Sequence, residues 1–239
     1  LKKGDRIAVM LPNVLQYPVA IFGALLAGLT VVNVNPLYTV PELIHQLNDS
    51  GAETILVLAN FAGVVNEALP QTKLKHVITT KMGDMFPQPK SFLIDFYLKY
   101  ISKKIPNVTI PQSISFKSAL AKGKKLAFTP VDVTGQDIAF LQYTGGTTGV
   151  AKGAMLTHRN LVANVIQAEA WFNPLLERGR EIIITALPLY HIFSLTANCL
   201  FIFKTGGLNV LITNPRDMSQ TISEMGKFKF TAITGVNTL

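Results

Sequence analysis

Four glycines, three threonines and one lysine lie in a short run that could hold a polyphosphate. The run reads Tyr143-Thr-Gly-Gly-Thr-Thr-Gly-Val-Ala-Lys-Gly-Ala154. Because glycine has no side chain, backbone N–H groups in such a run can approach an anion closely. The threonines add hydroxyl donors and Lys152 adds a positive charge. These groups could wrap the phosphates of a nucleotide and follow pyrophosphate as it leaves.

This run differs from the two most familiar phosphate-binding motifs. A Walker A loop requires Gly-x-x-x-x-Gly-Lys-Ser/Thr, but Gly153 follows Lys152 here. The dinucleotide motif Gly-x-Gly-x-x-Gly is excluded because Gly145 and Gly146 are adjacent. A plain hairpin tip is the structural alternative. At average composition, nine specified positions would coincide with a chance on the order of 10⁻⁸, which favours a functional run.

The run resembles the phosphate-binding signature of the superfamily of acyl- and aryl-CoA ligases, peptide-synthetase adenylation domains and luciferases. Three more segments are similar to motifs of that superfamily and occur in the expected order. They are Ala27-Gly-x-x-Val-Val-Asn-Val-Asn-Pro36, Leu156-Thr-His-Arg-Asn160 and Leu187-Pro-Leu-Tyr-His-Ile-Phe-Ser-Leu195. Within the superfamily, the sequences of these segments are most similar to those of bacterial long-chain fatty-acid–CoA ligases.

The resemblance implies a two-step reaction that uses ATP, Mg²⁺ and CoA. A fatty carboxylate attacks the α-phosphate of ATP to give acyl-adenylate and pyrophosphate, and the CoA thiol then attacks the acyl carbon and releases AMP. The Mg²⁺ ion neutralises the phosphates, and the resemblance implies that Thr144 reaches it. The nucleotide-binding residues implied by the resemblance are Tyr143, Thr144, Gly145, Gly146, Thr147, Thr148, Gly149, Val150, Ala151, Lys152, Gly153 and Ala154.

Other candidate residues lie outside the run. The resemblance implies that His191 is catalytic and lines or gates the acyl pocket near the reacting carboxylate, with a buried histidine or a helix-start residue as the alternative. Trp171 could border an acyl tunnel and bind substrate, or it could pack in the core. His158 and Arg159 could orient the nucleotide, but a helix start capped by Thr157 is favoured.

The elements that must position these residues follow from hydrophobic patterning. Strands are predicted at 6–11, 30–34, 54–58, 76–79, 137–143, 154–157, 181–187, 208–212 and 230–234. Helices are predicted at 14–27, 39–51, 158–171, 191–203 and 218–227, the second with a capping box formed by Thr39 and Glu42. This alternation predicts an α/β fold, with a mostly parallel sheet covered on both faces. The resemblance narrows it to the layered N-terminal domain of an adenylate-forming enzyme, incomplete at both ends.

Residues 81–136 interrupt this alternation with five prolines and many lysines. They are predicted to form an excursion around one helix at 91–104. We therefore divide one large N-terminal domain into a first portion, 1–136, and a portion carrying the phosphate run and acyl pocket, 137–239. The segment 89–104 has apolar residues at helical spacing flanked by lysines, so it could lie on an anionic membrane or pack on its own domain.

Composition limits the possible partners. The chain has 239 residues, of which 49% are hydrophobic and 15% charged, and this balance supports a large buried core. The single cysteine excludes a disulfide framework and indicates an intracellular, cytoplasmic protein, with peripheral contact at the inner membrane if 89–104 binds lipid. The net charge of +8 suits ATP and other anions. No nucleic-acid motif accompanies it, so we expect no nucleic-acid partner.

Both chain ends look cut, and later motifs of the superfamily are missing. These are the Mg²⁺-binding glutamate, the ribose-binding aspartate and the lysine of the C-terminal domain. We therefore expect the N-terminal portion of a ligase that is inactive without the remainder and, by resemblance, forms a homodimer. Two alternatives stay open: a ligase for an aryl or short acyl acid, and a non-catalytic nucleotide- or lipid-binding domain.

Overall fold

A seven-stranded, mostly parallel sheet forms the centre of the computed structural model, which describes residues 1–144 and 151–236. In chain order its strands are β1 (Arg6–Met10), β2 (Thr30–Asn33), β3 (Thr54–Leu58), β4 (His76–Thr80), β5 (Ile114–Ser115), β6 (Ile138–Thr144) and β7 (Lys152–Thr157). Their order across the sheet is β5-β4-β3-β1-β2-β6-β7. Only the β6–β7 pair is antiparallel among them. The prediction of a mostly parallel sheet is confirmed.

A smaller parallel sheet follows along the chain. Its strands are β8 (Ile182–Thr185), β9 (Leu208–Leu211) and β10 (Ala232–Ile233), in the order β10-β8-β9. Strands β6 and β7 belong to the larger sheet. The division after residue 136 stays a prediction, and it falls within the larger sheet rather than between the two sheets.

Nine helices pack around these sheets in the described part of the chain. They are α1 (Gln16–Leu26), α2 (Val40–Ser50), α3 (Ala62–Ala68), α4 (Lys90–Phe96), α5 (Phe116–Gly123), α6 (His158–Phe172), α7 (Ile192–Ser194), α8 (Phe201–Thr205) and α9 (Met218–Met225). A π-helical turn, Tyr97–Ile101, extends α4, and another, Leu195–Leu200, joins α7 to α8. None of the described helices is long and apolar enough to cross a bilayer.

Two predicted helix starts are confirmed at the level of hydrogen bonds. At α2, the carboxylate of Glu42 accepts from the backbone N–H of Thr39 at 2.8 Å and completes the capping box. At α6, the hydroxyl of Thr157 accepts from the N–H of Asn160 at 3.2 Å. Each cap satisfies N–H groups that the first helical turn leaves without partners.

The central strands of the larger sheet are buried on both faces, as expected where helices cover a parallel sheet. On one face, Val9 and Phe140 pack in the same cluster as Tyr17 of α1. On the other face, Met10 and Leu141 share a cluster with residues of α2. From Phe140 onward, successive residues of β6 therefore point alternately toward α1 and toward α2.

The prediction of a single helix in 81–136 was wrong. This segment contains α4 and α5, and its strand β5 pairs with β4 through Ile78 and Ile114, so the chain rejoins the sheet. Ser115 caps the start of helix α5, since its hydroxyl accepts from the N–H of Ser118 at 3.1 Å. A strand of two residues and a helix of eight are too short to produce a periodic pattern that sequence reasoning could detect.

Candidate functional site

The carboxyl ends of strands from both sheets meet at one edge of the molecule. Asn13, which follows β1, donates from Nδ2 to the carbonyl oxygens of Thr185 at 3.0 Å and Leu187 at 2.9 Å, at the end of β8. The hydroxyl of Thr213, which follows β9, donates to the carbonyl of Asn13 at 2.9 Å. Open α/β sheets bind their ligands at this edge.

The glycine-threonine run begins and ends at the same edge. Thr144 is the last residue of β6 and lies directly opposite Lys152, the first residue of β7. Directly opposed residues in an antiparallel pair point to the same face, so both side chains share the face of Gln142. Both are exposed, and Lys152 forms no ion pair with any described residue. A hydroxyl and an ammonium group are thus available to an anion.

Six predicted nucleotide-binding residues lie outside the described residues. They are Gly145, Gly146, Thr147, Thr148, Gly149 and Val150. The next residue, Ala151, has its carbonyl oxygen 3.2 Å from Nε2 of His45 on α2. Because a carbonyl can only accept, Nε2 of His45 carries the proton in this contact. Ala154 lies opposite Gln142 in the β6–β7 pair and is exposed.

Tyr143 points away from Thr144, toward α2. Its hydroxyl donates to the carboxylate of Asp49. Burial, followed by this contact with Asp49, raises the pKa of Tyr143, which therefore stays a neutral donor. A Cβ atom at Gly153 would lie 2.9 Å from the Tyr143 ring, so Gly153 is needed to let the ring pack. The nucleotide-binding roles of Tyr143 and Gly153 stay predictions. Their described contacts hold together the two strand ends from which the run emerges.

His191 caps the helical segment that begins with α7. Its Nδ1 accepts from the N–H of Phe193 at 3.4 Å, and the imidazole is exposed. The helix-start alternative is confirmed and the buried-histidine alternative is wrong. Because the ring is exposed at the carboxyl edge, it is accessible to a ligand. The catalytic and substrate-binding role of His191 stays a prediction.

Three side chains from two distant parts of the chain hold the turn that carries His191. Oδ1 of Asn13 accepts from the N–H of Leu189 at 2.8 Å, and the hydroxyl of Tyr17 lies 2.8 Å from the carbonyl of Leu189. Nε2 of Gln142 donates to the carbonyl of Tyr190 at 3.0 Å. The turn that presents His191 is therefore attached to β6, two residues before Thr144.

Sequence reasoning missed these supporting residues. Asn13 and Gln142 are both buried, although each is polar. The signal was a lone amide side chain within or directly after an apolar strand. Such a side chain must find hydrogen-bond partners once it is buried.

Two other predicted candidates lie apart from these contacts. Trp171, near the end of α6, is 81% exposed, so the core alternative is wrong, and its binding of substrate stays a prediction. His158 begins α6 beside Ile138, at the opposite end of β6 from Thr144. Burial lowers the pKa of His158. The cap at Thr157 confirms the structural interpretation of this helix start.

The described residues include no group of three or more His, Cys, Asp or Glu side chains that could hold a metal ion. Thr144 offers an exposed hydroxyl oxygen. One protein oxygen suits a Mg²⁺ ion that takes its other ligands from water and from the phosphates of a nucleotide.

Comparison with known proteins identifies a family for the chain. The family described as AMP-binding enzyme matches residues 1–239. The chain is 56% identical over 239 residues to the long-chain-fatty-acid–CoA ligase of Salmonella typhimurium, covering 100% of this chain and 43% of that protein. The ligase of the same description from Bacillus subtilis is 34% identical over 243 residues, covering 100% of this chain and 42% of that protein. The chain thus spans less than half the length of these relatives.

Solved structures agree on the fold. A crystal structure of a long-chain-fatty-acid–CoA ligase from Archaeoglobus fulgidus superposes with a TM-score of 0.70 at 25% identity, covering 98% of this chain and 40% of that one. An anthranilate CoA ligase in complex with anthranoyl-AMP gives a TM-score of 0.78 at 19% identity, again covering 98% of this chain and 40% of that one. The predicted α/β fold, with its sheet-and-helix layers, is confirmed.

Proposed function

The chain belongs to the family of AMP-binding enzymes, and we propose that it is the N-terminal portion of an ATP-dependent long-chain fatty acid–CoA ligase. We call the protein that contains it the full-length ligase. One observation carries the proposal: the phosphate-binding run is connected to the turn bearing His191. Thr144 and Lys152 frame that run. Gln142 joins these two parts through its hydrogen bond to Tyr190. A nucleotide phosphate and a carboxylate could therefore be held next to each other.

In the first step, the fatty carboxylate would attack the α-phosphate of ATP and displace pyrophosphate. The ammonium group of Lys152 and the hydroxyl of Thr144 would hold the β- and γ-phosphates, where their positive and donor character offsets negative charge. The exposed ring of His191 would lie beside the carboxylate. The protein contributes positioning and charge neutralisation to this step.

Mg²⁺ would neutralise the phosphates when bound, with Thr144 as the ligand available among the described residues. CoA would then enter as the second substrate, and its thiol would attack the acyl carbon and release AMP. The remainder of the full-length ligase would supply the other groups for both steps. By resemblance the full-length ligase is a homodimer, which sedimentation would test.

The identity of the acid distinguishes the leading proposal from its enzyme rival. The full-length ligase should form palmitoyl-CoA with a kcat/KM more than about 100-fold above that for acetate, because each buried methylene contributes about 0.8 kcal/mol. It should also prefer palmitate to 4-coumarate. A preference for 4-coumarate or acetate would support an aryl or short-chain ligase. Release of no AMP with any acid would support a non-catalytic nucleotide- or lipid-binding domain.

We also propose that the helical segment formed by α4 and its π-helical turn contacts an anionic membrane. Six large apolar side chains on it are 44–63% exposed: Phe92, Leu93, Phe96, Tyr97, Tyr100 and Ile101. On the side toward the domain, Ser91 is buried and the carboxylate of Asp95 accepts from the N–H of Gly83 at 2.9 Å. Phe92, Phe96 and Tyr100 also line a cavity on this side, and each keeps a large exposed fraction. Exposed apolar side chains flanked by lysines suit the boundary between headgroups and acyl chains. Such contact would place the ligase, otherwise cytoplasmic, at the inner membrane.

Vesicle binding tests this contact. Changing Phe92 and Phe96 to serine removes about 1 kcal/mol of burial each, because roughly half of each ring is free to be covered. We expect binding to vesicles of phosphatidylglycerol and phosphatidylethanolamine to weaken about 30-fold. As a matched control, Leu126→Ser with Phe128→Ser removes two exposed apolar side chains elsewhere and should have little effect. Equal binding by both double variants would refute the contact.

A further inference from the structure

A chain of buried side-chain hydrogen bonds runs from α1 across the sheet to the turn before His191. Nδ2 of Asn33 donates to Oε1 of Gln142 at 3.1 Å, and Nε2 of Gln142 donates to the carbonyl of Tyr190 at 3.0 Å. The hydroxyl of Tyr17 lies 2.9 Å from Oδ1 of Asn33 and 2.8 Å from the carbonyl of Leu189. All three side chains, of Tyr17, Asn33 and Gln142, are at least 95% buried.

The carbonyl of Tyr190 fixes the direction of every bond in this chain. Since it can only accept, Gln142 must present its NH₂ group to it and its oxygen to Asn33. Asn33 must then donate to Gln142 and present its own oxygen to Tyr17. Burial keeps the pKa of Tyr17 well above its usual value, so its hydroxyl stays protonated and shares one proton between Asn33 and Leu189. The network has one consistent arrangement, and an arrangement of this kind is rigid.

Gln142 is the member that connects the two halves of the site. It lies on β6 two residues before Thr144, and its side chain shares the face of Thr144 and Lys152. Its side-chain NH₂ group donates to the carbonyl of Tyr190, the residue directly before His191. The phosphate-binding run and the histidine therefore have a common fixed point, although neither contacts the other directly in the described residues.

We propose that Gln142 is a positioning residue, which fixes the orientation of His191 relative to phosphates bound at Thr144 and Lys152. The proposal rests on the proposed function, since it concerns the adenylation step. In that step the carboxylate oxygen must align with the α-phosphate. A displacement of one ångström in such an alignment can cost as much as 100-fold in rate.

A double-mutant cycle in the full-length ligase tests the proposal. The rate measured is pyrophosphate exchange into ATP with palmitate. Gln142→Leu should lower kcat about tenfold, with a smaller change in the KM for ATP, because phosphate contacts remain while their alignment is lost. In a His191→Ala background the same substitution should lower kcat less than about twofold, since its effect passes through His191.

Gln16→Leu is the matched control for loss of stability. Gln16 is also a buried glutamine, and its Nε2 donates to the hydroxyl of Thr80 at 3.2 Å and the carbonyl of Lys81 at 2.7 Å. Neither bond involves the turn before His191, so this substitution should lower the melting temperature comparably and leave kcat unchanged. If Gln16→Leu lowers kcat as much as Gln142→Leu, or if the effects of Gln142→Leu and His191→Ala multiply, the positioning role is refuted.

Hydrogen exchange gives a readout that does not depend on activity. ATP should slow exchange in residues 187–195 of the wild-type ligase but not in Gln142→Leu, although both proteins should bind ATP. If the ligase is active but ATP leaves the exchange rate of residues 187–195 unchanged, the positioning role is overturned and the proposed function is not. A protein that neither binds ATP nor exchanges pyrophosphate would overturn the proposed function and, with it, the positioning role.

Discussion

Replacing Asn13 with leucine should destabilise the chain more than almost any other single change at this edge. Asn13 is 3% exposed, and its side chain bridges the two sheets. The substitution keeps a similar volume but removes one acceptor and one NH₂ group. It therefore tests the hydrogen bonds rather than the packing.

The contacts allow the loss to be worked out. Without Asn13, the N–H of Leu189 has no partner among the described residues, which costs about 1–3 kcal/mol. The carbonyls of Thr185 and Leu187 each lose one bond but keep another, from the N–H of Ile212 and the hydroxyl of Ser194. Each of these two losses costs about 0.5–1.5 kcal/mol. The sum is about 4 kcal/mol, a large share of the 5–15 kcal/mol that stabilises a typical domain.

Urea unfolding followed by far-ultraviolet circular dichroism measures this loss. Trp171 is a poor fluorescent reporter because it is already 81% exposed in the folded chain. As a control, Thr213→Val removes only the bond to the carbonyl of Asn13 and should cost about 1 kcal/mol. If Asn13→Leu lost less than about 1 kcal/mol with an unchanged m-value, the side chain would not be what holds this turn.

Three further predictions concern other parts of the chain. Gly153→Ala should lower stability by about 1–3 kcal/mol and weaken ATP binding, because its Cβ would lie 2.9 Å from the Tyr143 ring, while Gly123→Ala, which meets no atom within 4 Å, should be neutral in thermal melts. Burial raises the pKa of Cys199 to about 12, so Ellman's reagent should label it in urea but not in the folded chain at pH 8, and rapid native labelling would contradict its burial. The hydrogen bond from Lys3 lowers the pKa of Asp137 most, followed by the one from Thr134, and together they bring it from 3.8 to about 2. The stability that this carboxylate contributes is therefore present above pH 4 and lost as the pH falls to about 2. In Lys3→Ala, NMR titration should find the pKa of Asp137 closer to 3.8.

The strands and the main helices could be predicted because their periodicity reports burial directly. β1, β3 and β6 are short apolar runs with a polar residue, proline or glycine within two positions of each end, and Thr39 and Thr157 mark helix starts by their residue type. Elements without a period were missed. Helix α3 has seven residues and β5 has two, which is less than the length over which alternation can be counted.

The candidate site could be predicted as a set of motifs but not as an arrangement. Residue types pointed to Lys152 and His191 as groups that could contact substrate. They gave no sign that Asn13 would meet Leu189, 176 residues later, or that Gln142 would meet Tyr190. A buried amide can satisfy its hydrogen bonds with many partners, and only the folded backbone decides among them. Tyr143 was grouped with the phosphate-binding residues, although strand alternation turns it toward α2.

Pyrophosphate exchange by the full-length ligase tests the central claim most directly, since it reports adenylation without requiring CoA. With palmitate present, labelled pyrophosphate should enter ATP, and Lys152→Ala should lower this rate by roughly 10- to 100-fold because a charge that stabilises the leaving pyrophosphate is lost. Lys152→Arg should retain more activity than Lys152→Ala. Exchange that is absent with every fatty acid, or that is unaffected by Lys152→Ala, would contradict the assignment of this run to the phosphates of ATP.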